Sequence, residues 1–169
     1  MTEQILRESS IVAMEIHYGA IPLLRHLRNK LIMFPMPEPK GLSRYNPVGF
    51  ITIVDVERAK QFYGGTLGLR LLSEEPPFAL VFDANGIMLR LGIAKELRAA
   101  PGTVLGWQVP DVAAAARELE TAGVRFERYQ HMPQDELGIW TTPTGARVAW
   151  FKDPDGNVLS ISEHPEVKK

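Results

Sequence analysis

The polar side chains best suited to chemistry lie in one stretch, from Tyr129 to Gly138. In it, His131 stands close to Asp135 and Glu136. An imidazole beside a carboxylate forms an acid–base pair, and the same side chains are also donors for a divalent metal ion. The competing interpretation is a solvated loop, which the polar composition of the stretch favours.

Composition excludes several other kinds of chemistry. The 169 residues include no cysteine, which rules out thiol nucleophiles, disulfides and Cys-ligated zinc or iron–sulfur centres. The 19 Lys and Arg against 20 Asp and Glu give a formal net charge of −1, so no nucleic-acid or membrane partner is predicted. We find no Ser-His-Asp arrangement, phosphate-binding glycine loop or dinucleotide fingerprint. A small-molecule cavity is therefore the expected kind of site.

Aromatic and polar side chains on predicted strands are the candidates for lining that cavity. The predicted ligand-binding residues are Trp107, Trp140, Gln108, Arg90, Arg147, Ser160 and His131. The two tryptophans would form walls for a planar ligand, with ordinary core packing as the alternative. Two arginines facing one cavity would favour an anionic ligand, but both could equally lie on the outer face of the sheet. No catalytic residue is predicted.

A sequence repeat must position these residues. In the first half, the apolar run Phe50–Val54 leads to Asp55, and Gly68 follows a helical pattern. The second half repeats this order with Val104–Val109, then Asp111, and finally Gly123. An Asp suits the N-cap of a helix, and a Gly suits the left-handed conformation at its end. Each half therefore predicts a strand followed by a capped helix.

Strand-like segments follow each predicted helix. They cover residues 69–72, 78–82 and 87–93 in the first half, and 125–129, 138–142, 147–152 and 158–162 in the second. Asn85-Gly86 and Asp155-Gly156 are strong signals for tight turns. The pattern is a βαβββ module present twice. Since one such module leaves a face of its sheet exposed, the two modules are expected to pair.

Two motifs resemble those of the vicinal oxygen chelate superfamily, which includes glyoxalase I, extradiol dioxygenases, fosfomycin-modifying enzymes and bleomycin resistance proteins. They are Asp55-Val-Glu-Arg-Ala-Lys-Gln-Phe-Tyr63, continued by Leu67-Gly68-Leu69, and Phe151-Lys-Asp-Pro-Asp-Gly-Asn-Val-Leu159. The resemblance covers residues 47–163, with modules over 47–96 and 103–163. It implies an α+β fold in which the modules form an incompletely closed mixed β-barrel around a cavity, often as a dimer.

The resemblance also implies where a metal would bind. In metal-using members, His or Gln ligands stand on the first strand of a module, and a Glu follows the Asp-Pro-Asp-Gly turn. The matching positions here hold Val48, Val104 and Ser160, and only Arg90 is polar between Met88 and Gly92. A divalent ion needs several imidazole or carboxylate donors. We therefore expect no cofactor, with a divalent metal at another position as the alternative.

Residues 1–46 are predicted to form an N-terminal helix and a Pro-rich linker, and residues 164–169 a tail. Charged residues interrupt the apolar positions between Ile11 and Met36, so neither a transmembrane helix nor a secretory signal is expected. A packing or dimerisation appendage is favoured. A helix that contacts a membrane surface or partner and a true start at Met33 or Met36 are the alternatives.

The sequence thus predicts a metal-independent, bleomycin-resistance-like protein that binds an aromatic or anionic organic molecule in the barrel cavity. A cytoplasmic homodimer is expected, and the absence of cysteine is compatible with that compartment. One alternative is a glyoxalase-like lyase or dioxygenase with a divalent metal at a non-standard site that includes His131 and Glu136. Another is a structural or regulatory dimer module. Ligand identity and module exchange across a dimer stay open.

Overall fold

Two four-stranded mixed sheets build the domain in the computed structural model, which describes residues 40–165. The first sheet contains β1 (Val48–Ile53), β2 (Arg70–Glu75), β3 (Ala79–Ala84) and β4 (Ile87–Ile93), in the order β1-β4-β3-β2. The second contains β5 (Thr103–Gln108), β6 (Trp140–Thr141), β7 (Arg147–Lys152) and β8 (Val158–Glu163), in the order β5-β8-β7-β6. Among the strands of these described residues, the pairs β1–β4 and β5–β8 are parallel and the others antiparallel. No strand pairing joins the two sheets within residues 40–165, so the predicted α+β fold of two modules in an incompletely closed barrel is confirmed.

The helix of the first module begins at the predicted cap. Helix α1 (Val56–Ala59) follows Asp55, whose carboxylate accepts a hydrogen bond from the Arg58 backbone N–H at 3.0 Å. The helix then widens into a π-helical segment over Lys60–Thr66. A satisfied N-terminal N–H explains why the strand-to-helix transition falls at this Asp.

The second module repeats the arrangement with a longer helix, α2 (Val112–Thr121). The Asp111 carboxylate accepts hydrogen bonds from the backbone N–H groups of Ala113 and Ala114, at 2.9 and 3.0 Å. These bonds hold the pKa of Asp111 below its usual value, and the bond from Ala114 has the larger effect. Gly68 and Gly123 follow the helical segments with φ of +69° and +93°, as predicted for left-handed helix ends.

One predicted strand is absent. Residues 125–129 contribute a single bridge, from Phe126 to Phe151, and the strand predicted over 138–142 shortens to Trp140–Thr141. The reason is local, because side chains of the intervening loop bind backbone groups that a strand would have paired. Gln134 alone bonds the backbone at Glu127, Tyr129 and Gly138.

Each sheet has a face covered by helices and an opposite open face. The covered faces and helices share one core, whose members include Ile51, Phe82, Leu91, Val112 and Phe151. Successive side chains of a strand point to opposite faces, so the alternate residues lie on the open faces.

The turn after β7 fastens the second module to the first. Buried Asp153 accepts four hydrogen bonds: from the Tyr63 hydroxyl at 2.8 Å, the Asn157 side chain at 2.8 Å, and the backbone N–H groups of Asp155 and Asn157 at 3.0 and 2.8 Å. Burial, aided by the Asp153 carboxylate, raises the pKa of the Tyr63 hydroxyl far above its ordinary value. The buried carboxylate is therefore fully hydrogen-bonded, as a stable interior position requires.

The same turn makes three further contacts with the first module. The Asn157 side chain donates to the Thr52 carbonyl, the Asp155 carboxylate accepts from the Val54 N–H, and Arg58 donates to the Pro154 carbonyl, each at 2.9 Å. The second of the two sequence motifs is thus the joint between the modules. Asp153, Asp155 and Asn157 serve fold assembly, because they bond to backbone groups or to buried side chains.

The predicted N-terminal helix and most of its linker lie outside residues 40–165, as do residues 166–169 of the tail. The described part of the linker region contains a 3-10 turn over Gly41–Arg44. None of the described helices has the length and apolar character needed to cross a bilayer.

Candidate ligand-binding site

Three aromatic rings meet on the open face of the second sheet. Trp140 stacks on Trp150 with ring centroids 6.1 Å apart and planes inclined by 29°. Tyr129 meets Trp150 edge to face, with centroids 5.6 Å apart and planes at 82°. The indole N–H of Trp150 donates to the Thr103 hydroxyl at 3.1 Å, which fixes this ring in place. All three aromatic residues are partly exposed, so they offer a rigid apolar surface to a ligand.

Polar side chains continue this surface across β8 and β5. Strand register aligns Trp140, Val148, Ser162 and Gln108 in one row, and a second row holds Trp150 and Ser160. The face therefore changes from aromatic on β6 and β7 to hydroxyl and amide on β8 and β5. Such a surface can stack against a flat ring while hydrogen-bonding its polar substituents.

Two details shape the polar half. Ser160 is only 8% exposed, and a Cβ placed on neighbouring Gly106 would lie 2.5 Å from its hydroxyl oxygen. The missing side chain at Gly106 thus leaves room for the Ser160 hydroxyl. At the end of β8, a ring nitrogen of His164 lies 3.0 Å from the Ser162 hydroxyl oxygen, so these two side chains form a hydrogen-bonded pair.

The polar stretch from Tyr129 to Gly138 is a structured loop. The Asp135 carboxylate accepts hydrogen bonds from the Leu137 and Ile139 N–H groups, at 3.0 and 2.9 Å. His131 is exposed, and within residues 40–165 no hydrogen bond or ion pair joins it to Asp135 or Glu136. The acid–base pair considered from sequence is not assembled. The loop instead places Tyr129 beside Trp150.

Arg90 lies on the open face of the first sheet. Its guanidinium lies 2.6 Å from the Glu75 carboxylate, and this partner lowers the pKa of Glu75. The register places Val81 and Ala79 between the two charged residues, and both are buried. The ion pair therefore spans β3 and covers its apolar side chains.

Trp107 and Arg147 lie on the covered face of the second sheet, opposite the face that carries Trp140 and Trp150. Trp107 packs at the edge of the core beside Leu119 and Ile161. Arg147 pairs with Glu163 at 3.1 Å, and the same carboxylate accepts the Val112 N–H at the start of α2. Both residues occupy odd positions of strands whose even positions face outward. Sequence alternation without a register could not decide between the two faces.

Of the predicted residues, Trp140, Gln108 and Ser160 come together on one surface. The predicted set lacked Tyr129, Trp150, Ser162 and His164, which complete it. The signal for most of these was alternation. Once Phe151 of the motif is assigned to the core, Trp150 must face the opposite way, and on β8 Ser162 must share a face with Ser160.

The metal-binding positions implied by the family resemblance hold unsuitable side chains. Val48 and Val104 offer hydrocarbon only, and Ser160 offers a hydroxyl where a carboxylate would be needed. No group of three or more His, Cys, Asp or Glu suited to a metal ion occurs in the described part of the chain. The residues present do not fit the divalent ion of the metal-using relatives.

Comparison with known proteins settles the family. A family model described as the Glyoxalase/Bleomycin resistance protein/Dioxygenase superfamily matches residues 44–161, well over half of the chain. The chain belongs to this superfamily. The comparison with curated proteins yields no match.

Several solved structures share the fold of this chain. A superfamily member from Sphaerobacter thermophilus is 25% identical with a TM-score of 0.56, covering 71% of this chain and 97% of its own. A glyoxalase family protein from Enterococcus faecalis is 22% identical with a TM-score of 0.55, covering 69% and 94%. A lactoylglutathione lyase from Agrobacterium tumefaciens is 19% identical with a TM-score of 0.53, covering 70% and 94%. The last two likenesses concern the fold alone.

Proposed function

We propose that this superfamily member binds a flat aromatic organic molecule on the open face of its second sheet, in the manner of a bleomycin resistance protein. The observation that carries the proposal is the stacked pair Trp140 and Trp150, with Tyr129 at its edge. Large aromatic rings held rigidly at a partly exposed surface bind flat rings at little cost in side-chain entropy.

Hydrogen-bonding groups beside the rings would orient the ligand. Gln108 is exposed in the same row as Trp140, and Ser160 lies in the row of Trp150. The arginines do not extend this set toward anions, since Arg90 pairs with Glu75 and Arg147 with Glu163. The proposed ligand is therefore an aromatic compound with hydroxyl, carbonyl or amide substituents. An anionic ligand, which the sequence analysis also expected, is not proposed.

Binding is proposed to need no metal. The support is the donor set at the family positions, where Val48, Val104 and Ser160 replace imidazole and carboxylate ligands. Protein purified without chelator would be examined by elemental analysis, and ligand titrations repeated after dialysis against EDTA. Unchanged affinity is expected. Near-stoichiometric Ni, Zn, Mn or Fe, with affinity lost on its removal, would contradict metal independence.

A second copy of the chain is proposed to cover the open face of the first sheet. On the first sheet the exposed apolar side chains include Phe50 at 71%, Val48 at 43% and Met88 at 43%. Contiguous exposed apolar groups of this kind are typical of interaction surfaces, and most soluble homo-oligomers are two-fold symmetric. Sedimentation of the full chain is expected to give a dimer, and Phe50→Glu to weaken it. A monomeric wild type would refute this part.

The binding proposal is tested with 2-naphthol as a flat probe and cyclohexanol as a non-planar one. Calorimetric titration measures the binding of each. We expect 2-naphthol to bind and cyclohexanol not to bind. Trp140→Ala should weaken 2-naphthol by about tenfold, because stacking and the associated burial are lost. Trp107→Phe on the covered face is the matched control and should leave affinity unchanged. Equal affinity in wild type and Trp140→Ala would refute the site.

A further inference from the structure

A cavity of about 200 Å³ lies on the covered side of the second sheet. Helix α2 forms one wall, and β5, β7, β8 and the end of the first module's helical segment form the rest. Its lining includes Leu67, Trp107, Ala115, Glu118, Leu119 and Phe151. A cavity of about 150 Å³ with such apolar walls already binds benzene. This one therefore has room for a single ring and a short side arm.

Glu118 is the charged member of this lining. Within residues 40–165 its carboxylate makes no ion pair or hydrogen bond. Helix positions three and four residues away hold Ala114, Ala115, Thr121 and Ala122, so no basic side chain of α2 can neutralise it along the helix. An apolar cavity with one unpaired carboxylate at its edge is complementary to an organic cation.

Trp107 adds a second feature suited to a cation. An indole ring attracts an ammonium group through its face, and Trp is the strongest of the aromatic side chains in this respect. Together the ring, the carboxylate and the apolar walls could hold the two ends of an arylalkylamine. This arrangement gives Trp107 a role in the covered cavity, although it takes no part in the site on the open face.

We propose that the cavity between α2 and the second sheet is a binding site for small arylalkylammonium ions, with Glu118 as the partner of the ammonium group. The site lies on the opposite side of the sheet from Trp140 and Trp150, and it does not rest on the function proposed above. Leu67 comes from the first module and the other lining residues from the second. Occupancy would therefore also bridge the two modules.

Three probes that share a phenyl ring and a two-carbon arm test the charge preference: 2-phenylethylammonium, 2-phenylethanol and phenylacetate. Calorimetric titration of the full chain is expected to rank the ammonium about fivefold tighter than the alcohol, with the anion weakest. Glu118→Gln should reduce the ammonium to the affinity of the alcohol. Glu120→Gln, on the same helix but outside the lining, is the matched control and should change nothing.

Two further variants locate the binding. Ala115→Leu should fill the cavity and abolish binding of all three probes. Trp140→Phe/Trp150→Phe leaves Trp107 as the sole tryptophan of three, and its emission should change saturably with the ammonium probe. The proposal is overturned if wild type binds no probe, if the charge preference survives Glu118→Gln, or if the double variant folds but no longer binds. Glu118→Gln is a surface change, so the test stands even if Ala115→Leu does not fold.

Discussion

Replacing Tyr63 by Phe removes one hydroxyl from the joint between the modules and leaves the buried ring. The lost contact is a 2.8 Å hydrogen bond to the buried carboxylate of Asp153. A hydrogen bond to a charged group contributes about 1.5–3 kcal/mol. Asp153 keeps three other donors, so its charge stays partnered. We therefore expect the free energy of unfolding to fall by about 2 kcal/mol, and Tm by about 6–10 °C.

The variant also has a pH signature. The folded pKa of Tyr63 is raised, so the hydroxyl contributes its full stability below pH 10. Above pH 10 the unfolded chain loses this proton while the folded protein retains it, and wild-type stability declines. Tyr63→Phe lacks this group. The stability difference between wild type and variant should therefore be constant from pH 7 to 9 and should narrow above pH 10, by up to about 1.4 kcal/mol per pH unit.

Urea unfolding followed by circular dichroism at pH 7, 9 and 10.5 measures both effects. Tyr45→Phe is the matched control, because Tyr45 is 65% exposed and its hydroxyl lies outside the joint. It should change the free energy of unfolding by less than about 0.5 kcal/mol. If Tyr63→Phe is no less stable than Tyr45→Phe at pH 7, the hydrogen bond to Asp153 does not stabilise the joint and the reasoning fails.

Three smaller predictions concern caps and glycines. Asp111→Ala should destabilise the protein at pH 7. Since the folded pKa of Asp111 is lowered, this loss of stability should shrink as pH falls below about 3.8. Urea midpoints measured at pH 7 and 3 test this, and a loss that is absent at pH 7 or equal at both pH values would contradict a stabilising carboxylate cap. Gly68→Ala should lower the free energy of unfolding by about 1–2 kcal/mol, because the φ of Gly68 is +69°. Gly65→Ala should raise it by about 0.4–1 kcal/mol, because a Cβ at Gly65 would meet no atom closer than 4.0 Å. Equal melting temperatures of the two variants would contradict this. Gly106→Ala should lower the free energy of unfolding by about 0.5–1.5 kcal/mol, because the new methyl group forces the Ser160 hydroxyl from its rotamer. Adding Ser160→Ala should remove this loss of stability. A double-mutant cycle that shows no coupling between the two positions would count against the contact.

The sequence predicted elements well where local chemistry decides them. Asp55 and Asp111 cap helices, and β4 and β7 have the predicted bounds of 87–93 and 147–152. Each of these features depends on neighbouring residues in the chain. The same is true of the turn at Asn85-Gly86, where both residues have positive φ.

The site was harder to predict because it depends on register. Trp107 and Trp140 look alike in the sequence, yet one packs on the covered face and the other lies open. Only the strand pairing, fixed by contacts far along the chain, separates them. The strands predicted over 125–129 and 138–142, after α2, were wrong for a different reason. Gln134 and Asp135 bind backbone groups of their own loop, and this competition with strand formation leaves no periodic trace in the sequence.

The joint at Asp153 and Asn157 also constrains how the chain reaches its final structure. Its bonds to Tyr63 and Thr52 close loops of 90 and 105 residues. Closing long loops is entropically unfavourable, and it precedes the gain from the contacts it allows. The first module cannot acquire these partners until the last hairpin of the second has formed. Folding of the two halves is therefore coupled late, and unfolding of either removes the polar partners of the other, so one transition rather than two is expected.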